Sequence, residues 1–283
     1  MTFRPFSLRI KGRMRLYSRP AVMGIINLTP DSFYAPSRHA APSDAARTAA
    51  AMVAEGADML DLGAYSSRPG ASEVSEAEET ERLCRGVEAV RNEIGPEIPI
   101  SVDTFRGAVA RAAVGAGADI VNDISGGELD AGMFATVADL GCPYVLMHMR
   151  GTPETMQSLT DYTDVAAEVT TYLSRRAAML HSLGVADVIV DPGFGFAKTL
   201  GQNYRLLASL DTIAALGMPV LAGMSRKSML SRLPGVAPEA ILSATTAVNT
   251  IALERGAAIV RVHDVPEAVA AVAVVSALNS SDL

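Results

Sequence analysis

Asp191 ends an apolar, strand-like run in a way that calls for a chemical partner. The run "DVIV" leads directly into Asp191, and Pro192 and Gly193 then stop the strand. A carboxylate at the end of a buried strand costs several kcal/mol to desolvate, by rough estimate, unless something pairs with it. We therefore expect a hydrogen-bond donor or a cation to meet Asp191.

Polar residues also follow the other strand-like runs, and they fall into two chemical types. Asp103, Asn122 and Asp191 offer hydrogen-bond acceptors that suit a planar ligand with paired N–H donors. Arg261 and His263 are two residues apart on one strand, so they face the same side and supply positive charge. A cationic corner beside an acidic corner predicts a ligand with two chemically different ends.

The segment "SRKS" adds a third polar element, after the seventh strand-like run. It opens a helix, so Ser225 and the first free backbone N–H groups are expected to face an anion, with Arg226 and Lys227 close by. Arg68, in the segment "SSRPG", would extend the same cationic patch.

Short runs rich in Val, Ile and Leu alternate with Ala-rich helical segments along the chain. This alternation predicts βαβ units and a parallel sheet. The predicted strands are "AVMGIINLT", "DMLDLG", "IPISVDT", "DIVND", "YVLMH", "DVIVD", "PVLAG" and "AAIVRVH". The predicted helices span residues 43–55, 75–94, 106–116, 131–140, 163–183, 203–216, 238–255 and 267–278.

Eight strand–helix units in about 250 residues predict an α/β fold of the (β/α)8 TIM barrel type. An open, doubly wound sheet is the alternative. The barrel places ligand chemistry at the carboxyl ends of its strands, where all eight predicted strands deliver polar side chains. The leading "LRIKGRMRLY" predicts a β-hairpin within residues 1–20 that caps the bottom of the barrel, and residues 1–283 are expected to form a single domain.

Composition narrows the class of protein. The 283 residues are 49% hydrophobic, which is enough for a sizeable core, and two cysteines are too few for a disulfide framework. The basic N-terminal stretch has no apolar run long enough for a signal sequence, and no later run reaches the length of a membrane span, so we expect a cytoplasmic protein with no membrane partner. The net charge of -7 argues against a nucleic-acid partner.

Eight segments of the chain resemble, in the same order, the signature segments of the dihydropteroate synthase family. They are "VMGIINLTPDSF", "SSRPGA", "SVDT", "VNDISGG", "LMHMRGTPETMQ", "DPGFGFAKT", "GMSRKSML" and "RVHDV". The resemblance spans nearly the whole chain. It implies condensation of 6-hydroxymethyl-7,8-dihydropterin diphosphate with 4-aminobenzoate, which gives 7,8-dihydropteroate and diphosphate in folate biosynthesis. It also implies a Mg²⁺ cofactor, inhibition by sulfonamides and a homodimer.

The resemblance also implies roles for individual residues. The implied pterin-binding residues are Asp103, Asn122, Met147, Asp191 and Lys227. Asn27, Arg261 and His263 are implied to hold the diphosphate, and Asn27 to contact the metal. The implied aminobenzoate region comprises Ser67, Arg68, Pro69, Phe196 and Ser225. The implied catalytic set is therefore Asn27, Lys227, Arg261 and His263.

Two positions depart from the family pattern "GGESTRPG". Tyr65 replaces a Glu, and Ser67 replaces a Thr. Ser67 keeps the hydroxyl and loses a methyl group, which bears on aminobenzoate and sulfonamide affinity. The long loops "TPDSFYAPSRHAAPSD" and "SSRPGASEVS" are expected to act as lids over the diphosphate.

Two rival functions and one open surface question remain at this point. A methyltetrahydrofolate:corrinoid methyltransferase would share the Asp/Asn pterin floor but should lack "SRKS" and "RVHD". A synthase-like paralogue would bind pterin without turnover. The last helix, "EAVAAVAVVSAL", has hardly any polar face, so either a partner subunit covers it or the protein has an unusually Ala-rich surface.

Overall fold

The computed structural model describes residues 3–28, 41–65 and 74–279. Its main sheet consists of eight parallel strands whose residues are mostly buried, as expected for strands covered on both faces. These strands are β3 (Ala21–Asn27), β4 (Met59–Gly63), β5 (Ile100–Asp103), β6 (Ile120–Asp123), β7 (Tyr144–Met147), β8 (Val188–Asp191), β9 (Leu221–Ala222) and β10 (Ile259–Val262).

The sheet curves round until its two ends meet. The strand order is β8-β7-β6-β5-β4-β3-β10-β9, and a parallel bridge between Val190 and Val220 joins the two edges. The Val190 N–H also donates to the carbonyl of Pro219 at 2.9 Å. The predicted TIM barrel is therefore confirmed, and the open-sheet alternative is wrong.

The helices lie between successive strands. They are α1 (Pro42–Ala54), α2 (Glu76–Ile94), α3 (Gly107–Gly115), α4 (Met133–Leu140), α5 (Val165–Ser182), α6 (Leu200–Ala208), α7 (Leu210–Ala214), α8 (Ser228–Ser231), α9 (Ile241–Glu254) and α10 (Val265–Asn279). Short 3₁₀ turns occupy Met156–Ser158 and Pro238–Ala240. Within the described ranges, no helix has both the length and the apolarity needed to cross a membrane.

Two predicted helices differ from those observed. The segment predicted as one helix over 203–216 forms α6 and α7, because Ser209 adopts a non-helical backbone between them (φ -110°, ψ 18°). Helix α6 also starts earlier than predicted, because Thr199 and Gln202 form a capping box. The segment predicted as a helix from Pro238 begins with a 3₁₀ turn before α9.

An antiparallel hairpin closes the bottom of the barrel, as predicted. It consists of β1 (Phe6–Ile10) and β2 (Arg13–Tyr17), and it turns at Lys11 and Gly12, which both have positive φ. Leu8 and Tyr17 from the hairpin pack into one apolar cluster with inward-facing residues of the barrel strands. The barrel members of that cluster are Ala21, Met23, Met59, Ile120, Val145, Ile189, Leu221, Ala258 and Ile259.

The hairpin's contribution to stability can be tested at Leu8. Its side chain is 1% exposed inside the bottom cluster, so we expect Leu8→Ala to lower the free energy of unfolding by about 2–5 kcal/mol. Leu16→Ala is the matched control, since Leu16 lies on the same hairpin but is 71% exposed; it should change stability by less than about 0.5 kcal/mol. Urea unfolding measures both, and equal stability of the two variants would contradict a sealing role for the hairpin.

Candidate active site

The ends of four barrel strands, β3, β5, β6 and β8, bring polar residues to one mouth. In the parallel register, Asn27 pairs with Gly63, Gly63 with Asp103, and Asp103 with Asn122. Residues that pair in register point to the same face of a sheet. Asp103 and Asn122 form hydrogen bonds across the barrel interior, so this row faces inward. Asp191 ends β8 and pairs with Met147 on β7.

Two glycines keep the mouth open. A β-carbon built on Gly63 would lie 3.5 Å from the β-carbon of Asp103. A β-carbon on Gly223 would lie 3.8 Å from Asp191 Oδ2 and 4.0 Å from Lys227 Nζ. Any larger side chain at Gly223 would therefore occupy the space that Asp191 and Lys227 border.

Asp191 is buried and only partly satisfied by the protein. Its Oδ1 accepts the backbone N–H of Gly193 at 2.7 Å. Gly193 is required in this turn because its φ is +70° and a β-carbon there would lie 2.0 Å from the carbonyl oxygen of His148. Within the described part of the chain, Asp191 Oδ2 accepts no hydrogen bond. Burial raises the pKa of Asp191, and the nearby Lys227 opposes that rise.

Lys227 faces Asp191 from the loop after β9. It is the residue that precedes α8, a helix of a single turn, and its Nζ donates to the carbonyl of Phe194 at 2.6 Å. The same ammonium lies 4.5 Å from the centre of the Phe196 ring. Burial lowers the pKa of Lys227 to about 8, although Asp191 favours its charged form. The charge of Lys227 therefore depends on the balance between burial, which lowers its pKa, and Asp191, which raises it.

Arg261 is held between two carboxylates at the centre of the mouth. Its Nε donates to Asp61 Oδ2 at 2.6 Å, and its Nη2 donates to Asp103 Oδ2 at 3.0 Å. Asn122 Nδ2 also donates to Asp61 Oδ2, at 3.1 Å. Burial raises the pKa of Asp103 well above its ordinary value against the opposing pull of Arg261, while a quarter of the Asp103 side chain stays exposed.

His263 is oriented by Ser225. The Ser225 hydroxyl accepts the backbone N–H of His263 at 3.1 Å and lies 3.0 Å from the ring Nδ1. Burial, with Arg261 second, lowers the pKa of His263 to about 4. A neutral ring that accepts the Ser225 O–H at Nδ1 carries its proton on Nε2, which is then an N–H donor.

Arg226 forms an ion pair beside His263. Its Nε and Nη2 form a bidentate pair with Asp264 at 2.8 and 2.7 Å. This pair links the loop after β9 to the end of β10, next to His263. The segment "SRKS" therefore contributes an interstrand clamp as well as Lys227 and Ser225.

One wall of the mouth is apolar. Met147 is buried in a small cluster with Ile124, Met149, Met156 and Ala197, against which Phe105, Leu129 and Phe196 also pack. Met147 lies on β7 beside Asp191, so this wall adjoins the acidic side of the mouth. An apolar wall next to in-plane acceptors suits a flat heteroaromatic ring.

Comparisons with known proteins agree with this geometry. Residues 23–263 match the family described as pterin binding enzyme. The dihydropteroate synthase of Escherichia coli is 44% identical over 266 residues, which cover 93% of this chain and 93% of the relative. The chain belongs to the dihydropteroate synthase family.

Solved structures of the same family share the fold. A dihydropteroate synthase from Yersinia pestis in complex with a sulfonamide drug has a TM-score of 0.91 and 39% identity, and the match covers 98% of this chain and 100% of that one. A Burkholderia cenocepacia dihydropteroate synthase in complex with 7,8-dihydropteroate has a TM-score of 0.85 and 44% identity, with 98% of each chain covered.

Several predicted family positions lie outside the described residues. These are Ser67, Arg68 and Pro69, together with most of the two loops predicted as lids. Tyr65, which replaces the family's Glu, lies at the edge of this region. Its ring meets Phe105 edge-on at 5.1 Å, and the Arg106 guanidinium lies 5.6 Å from its centre. The substituted tyrosine therefore packs against the segment that follows Asp103.

Asp61 and Lys198 were not among the predicted site residues, although the structure places both beside the site, and His148 was predicted only as the polar residue that ends its strand. Buried Lys198 donates to the carbonyls of Gly193 and Phe196 at 2.9 and 3.0 Å and lies 3.1 Å from His148 Nδ1. Burial lowers the pKa of Lys198 to about 7. The sequence signal for Lys198 was its place in "DPGFGFAKT". Its hydrogen bonds to Gly193 and Phe196 hold the loop that follows Asp191.

A cavity of about 610 Å³ adjoins His148 and Met149. Its charged lining residues are Arg150, Arg175, Arg176, Glu128 and Glu168. Arg150 is paired with Glu168 at 2.7 Å, so the cavity is not a simple cationic pocket. None of the acidic or cationic residues at the strand ends lines it, and the site chemistry belongs to the barrel mouth.

The space beside Gly223 gives a direct test of the mouth as a ligand site. Gly223→Val would place methyl groups between Asp191 and Lys227, so we expect the Kd for a pterin to rise by about tenfold or more through steric exclusion. Gly201→Val is the control, since a β-carbon at exposed Gly201 meets nothing within 4 Å. Calorimetric titration measures the Kd, and unchanged affinity in a folded Gly223→Val protein would place the pterin elsewhere.

Proposed function

We propose that the protein is a dihydropteroate synthase, a transferase that joins 6-hydroxymethyl-7,8-dihydropterin diphosphate to 4-aminobenzoate and releases diphosphate. The observation that carries the proposal is the convergence of Asp103, Asn122, Asp191, Lys227 and Arg261 on one barrel mouth. Acceptors on one side and cations on the other match a ligand with a pterin ring at one end and a diphosphate at the other.

The acidic side of the mouth binds the pterin in this proposal. Asp191 Oδ2 and the Asn122 amide oxygen accept N–H groups of the ring's amino-pyrimidinone edge, and Asp103 contributes a further acceptor. Lys227 donates to ring acceptors, and Met147 packs against the ring face. The buried setting supports these roles because hydrogen bonds to charged groups strengthen where water is excluded.

The cationic side holds the diphosphate. Arg261 keeps its Nη1 N–H groups for phosphate oxygens, since its Nε and Nη2 are held by Asp61 and Asp103. Neutral His263 offers its Nε2–H to the same group, and Asn27 lies at the end of the neighbouring strand β3. Donors that are fixed before the reaction lower the free energy of a developing charge without reorganisation.

The bond changes require no side-chain nucleophile. The C–O bond between the methylene carbon and diphosphate breaks, and its electron pair leaves with the diphosphate. The 4-aminobenzoate nitrogen forms the new C–N bond and releases a proton to solvent. Arg261 and His263 stabilise the leaving group, while Asn122 and Asp191 hold the ring that carries the electron-poor carbon.

A Mg²⁺ cofactor fits the donor chemistry of the mouth. Among the described residues, no group of three or more His, Cys, Asp or Glu is arranged as a metal site. Mg²⁺ commonly takes one or two protein oxygens and completes its shell with water and substrate phosphates, so the single amide oxygen of Asn27 is a suitable ligand. When bound, the ion would supply charge neutralisation to the diphosphate oxygens.

We assign the aminobenzoate to the side of the mouth near Phe196 and Ser225. Phe196 packs at the edge of the apolar wall, and Lys227 lies against its ring. Ser67, Arg68 and Pro69 would complete this region. Sulfonamides, which mimic aminobenzoate, are proposed to bind in the same place.

The two rival functions fare differently. A corrinoid methyltransferase receives no support, because "SRKS" and "RVHD" supply Lys227, Ser225, Arg261 and His263 to the mouth. A paralogue without turnover has the same binding residues, so only a measurement of turnover separates it from an active synthase.

We further propose a single domain, a homodimer and a cytoplasmic location. Val274 and Leu278 on α10 are exposed, as is Ile251 on α9, the helix that packs against α10. Exposed apolar side chains of this kind suit contact with a second copy of the chain. Cys84 and Cys142 are both free thiols, as is usual for proteins kept in a reducing compartment.

Turnover is tested with purified protein, the pterin diphosphate, Mg²⁺ and 4-aminobenzoate. We expect release of diphosphate and formation of 7,8-dihydropteroate in equal amounts. A phosphate assay measures the diphosphate, and chromatography measures the 7,8-dihydropteroate. Omission of 4-aminobenzoate should prevent product formation. Absence of both products in the complete reaction would reject the catalytic proposal and favour the paralogue.

The pH dependence of pterin binding tests Lys227. Since its pKa is lowered to about 8, Lys227 is charged at pH 7 and loses its proton as the pH rises through 8. The Kd for the pterin diphosphate should therefore rise by about tenfold between about pH 7 and about pH 9.5. Lys227→Arg keeps its charge over this range, so its Kd should stay level whatever its value at pH 7. Parallel profiles for the two proteins would remove Lys227 from the pterin site.

A further inference from the structure

Asp61 lies one layer below the mouth, inside the barrel. It is fully buried on β4 and pairs in register with Ile25 and Ser101, whereas Gly63, the next inward residue of β4, pairs with Asn27 and Asp103 at the rim. Gly63 therefore lies between Asp61 and the substrate space. Any influence of Asp61 on a ligand must pass through its neighbours.

Asp61 receives two hydrogen bonds on one oxygen. Its Oδ2 accepts Arg261 Nε at 2.6 Å and Asn122 Nδ2 at 3.1 Å. Its Oδ1 is buried and, in the part of the chain that the structure describes, has no hydrogen-bond partner. Burial of an ion pair gains little stability by itself. The desolvation of the Asp61 carboxylate is therefore better explained by a role in holding its partners than by a contribution to stability.

The contact with Asp61 fixes which end of the Asn122 amide faces the ligand. An amide has one donor end and one acceptor end, and a carboxylate can only accept. Asn122 must therefore turn its Nδ2 toward Asp61. Its Oδ1 is the end that remains for the N–H donors of a pterin edge.

The same carboxylate fixes Arg261. Asp61 and Asp103 hold its Nε and Nη2, and this fork prevents the guanidinium from rotating. The Nη1 N–H groups are then the ones presented to an anion. One buried side chain thus sets the hydrogen-bond polarity at the pterin end and the direction of the cation at the phosphate end.

We propose that Asp61 is a positioning residue that makes the mouth selective for a pterin diphosphate by orienting Asn122 and Arg261. The inference rests on the proposed function and deepens it. It assigns pterin selectivity to a residue that does not touch the substrate.

Removal of the shared acceptor tests the proposal. Asp61→Ala leaves Arg261 Nε and Asn122 Nδ2 without the oxygen that both contact, so both side chains can turn. The Kd for pterin diphosphate should therefore rise by about tenfold or more, with the KM for 4-aminobenzoate changed less than about twofold. Asp61→Asn keeps a carbonyl oxygen that can accept from both groups, so its Kd should stay within about threefold of the wild-type value.

The matched control is Asp61→Asn, which removes the charge and keeps the acceptor. Calorimetry gives each Kd, and thermal unfolding shows which variants fold. If Asp61→Ala does not fold, Asp61→Leu takes its place, because leucine fills a similar volume without an acceptor; if neither folds, the Kd of Asp61→Asn decides. Wild-type affinity in folded Asp61→Ala or Asp61→Leu, or a loss of about tenfold or more in Asp61→Asn, would overturn the role of Asp61.

Failure of the proposed function looks different. Wild-type protein that neither binds the pterin diphosphate nor forms product would overturn the function, and this role with it. An active wild type with a folded Asp61→Ala or Asp61→Leu variant of unchanged affinity would overturn the role of Asp61 alone.

Discussion

The pairing of one guanidinium with two carboxylates inside a closed barrel is the interaction on which the site depends. Charges buried in a barrel must compensate one another, and Arg261 does so with Asp61 and Asp103. Burial alone would lower the pKa of Arg261, but the two carboxylates outweigh it and raise that pKa. The compensation is incomplete at the rim, where Asp191 Oδ2 and the Arg261 Nη1 groups keep hydrogen-bonding capacity that the described residues do not use. A substrate with a hydrogen-bond donor edge and an anionic tail can pair with these unused acceptor and donor groups.

The same burial explains why the mouth is prepared for ligand before any ligand arrives. Burial raises the pKa of Asp191 and lowers those of Lys227 and His263, so each group's charge is set by its surroundings before a ligand binds. Glycines at positions 63 and 223 keep the centre free of side chains. Fixed donors, fixed acceptors and open space together form a preorganised site, which is how an enzyme without a nucleophile can accelerate the departure of diphosphate.

Much of this architecture could be predicted from the sequence because the barrel repeats a simple pattern. A polar residue after each apolar strand located the rim, and Asp191 stood out because a turn follows it at once. Asp61 escaped prediction because it lies within its strand, where only the three-dimensional register reveals Arg261 as a partner 200 residues away. Ser209 illustrates the other limit: a single non-helical residue splits a helix that the apolar periodicity would continue.

The most direct measurement is a crystal structure of the protein with a non-hydrolysable analogue of the pterin diphosphate. The account predicts that the amino-pyrimidinone edge lies about 2.7–3.2 Å from Asn122 Oδ1 and Asp191 Oδ2, with the phosphates against Arg261 and His263. A ring bound outside the barrel mouth, or one whose amino edge faces Arg261 while its phosphates lie at Asp191, would contradict the account.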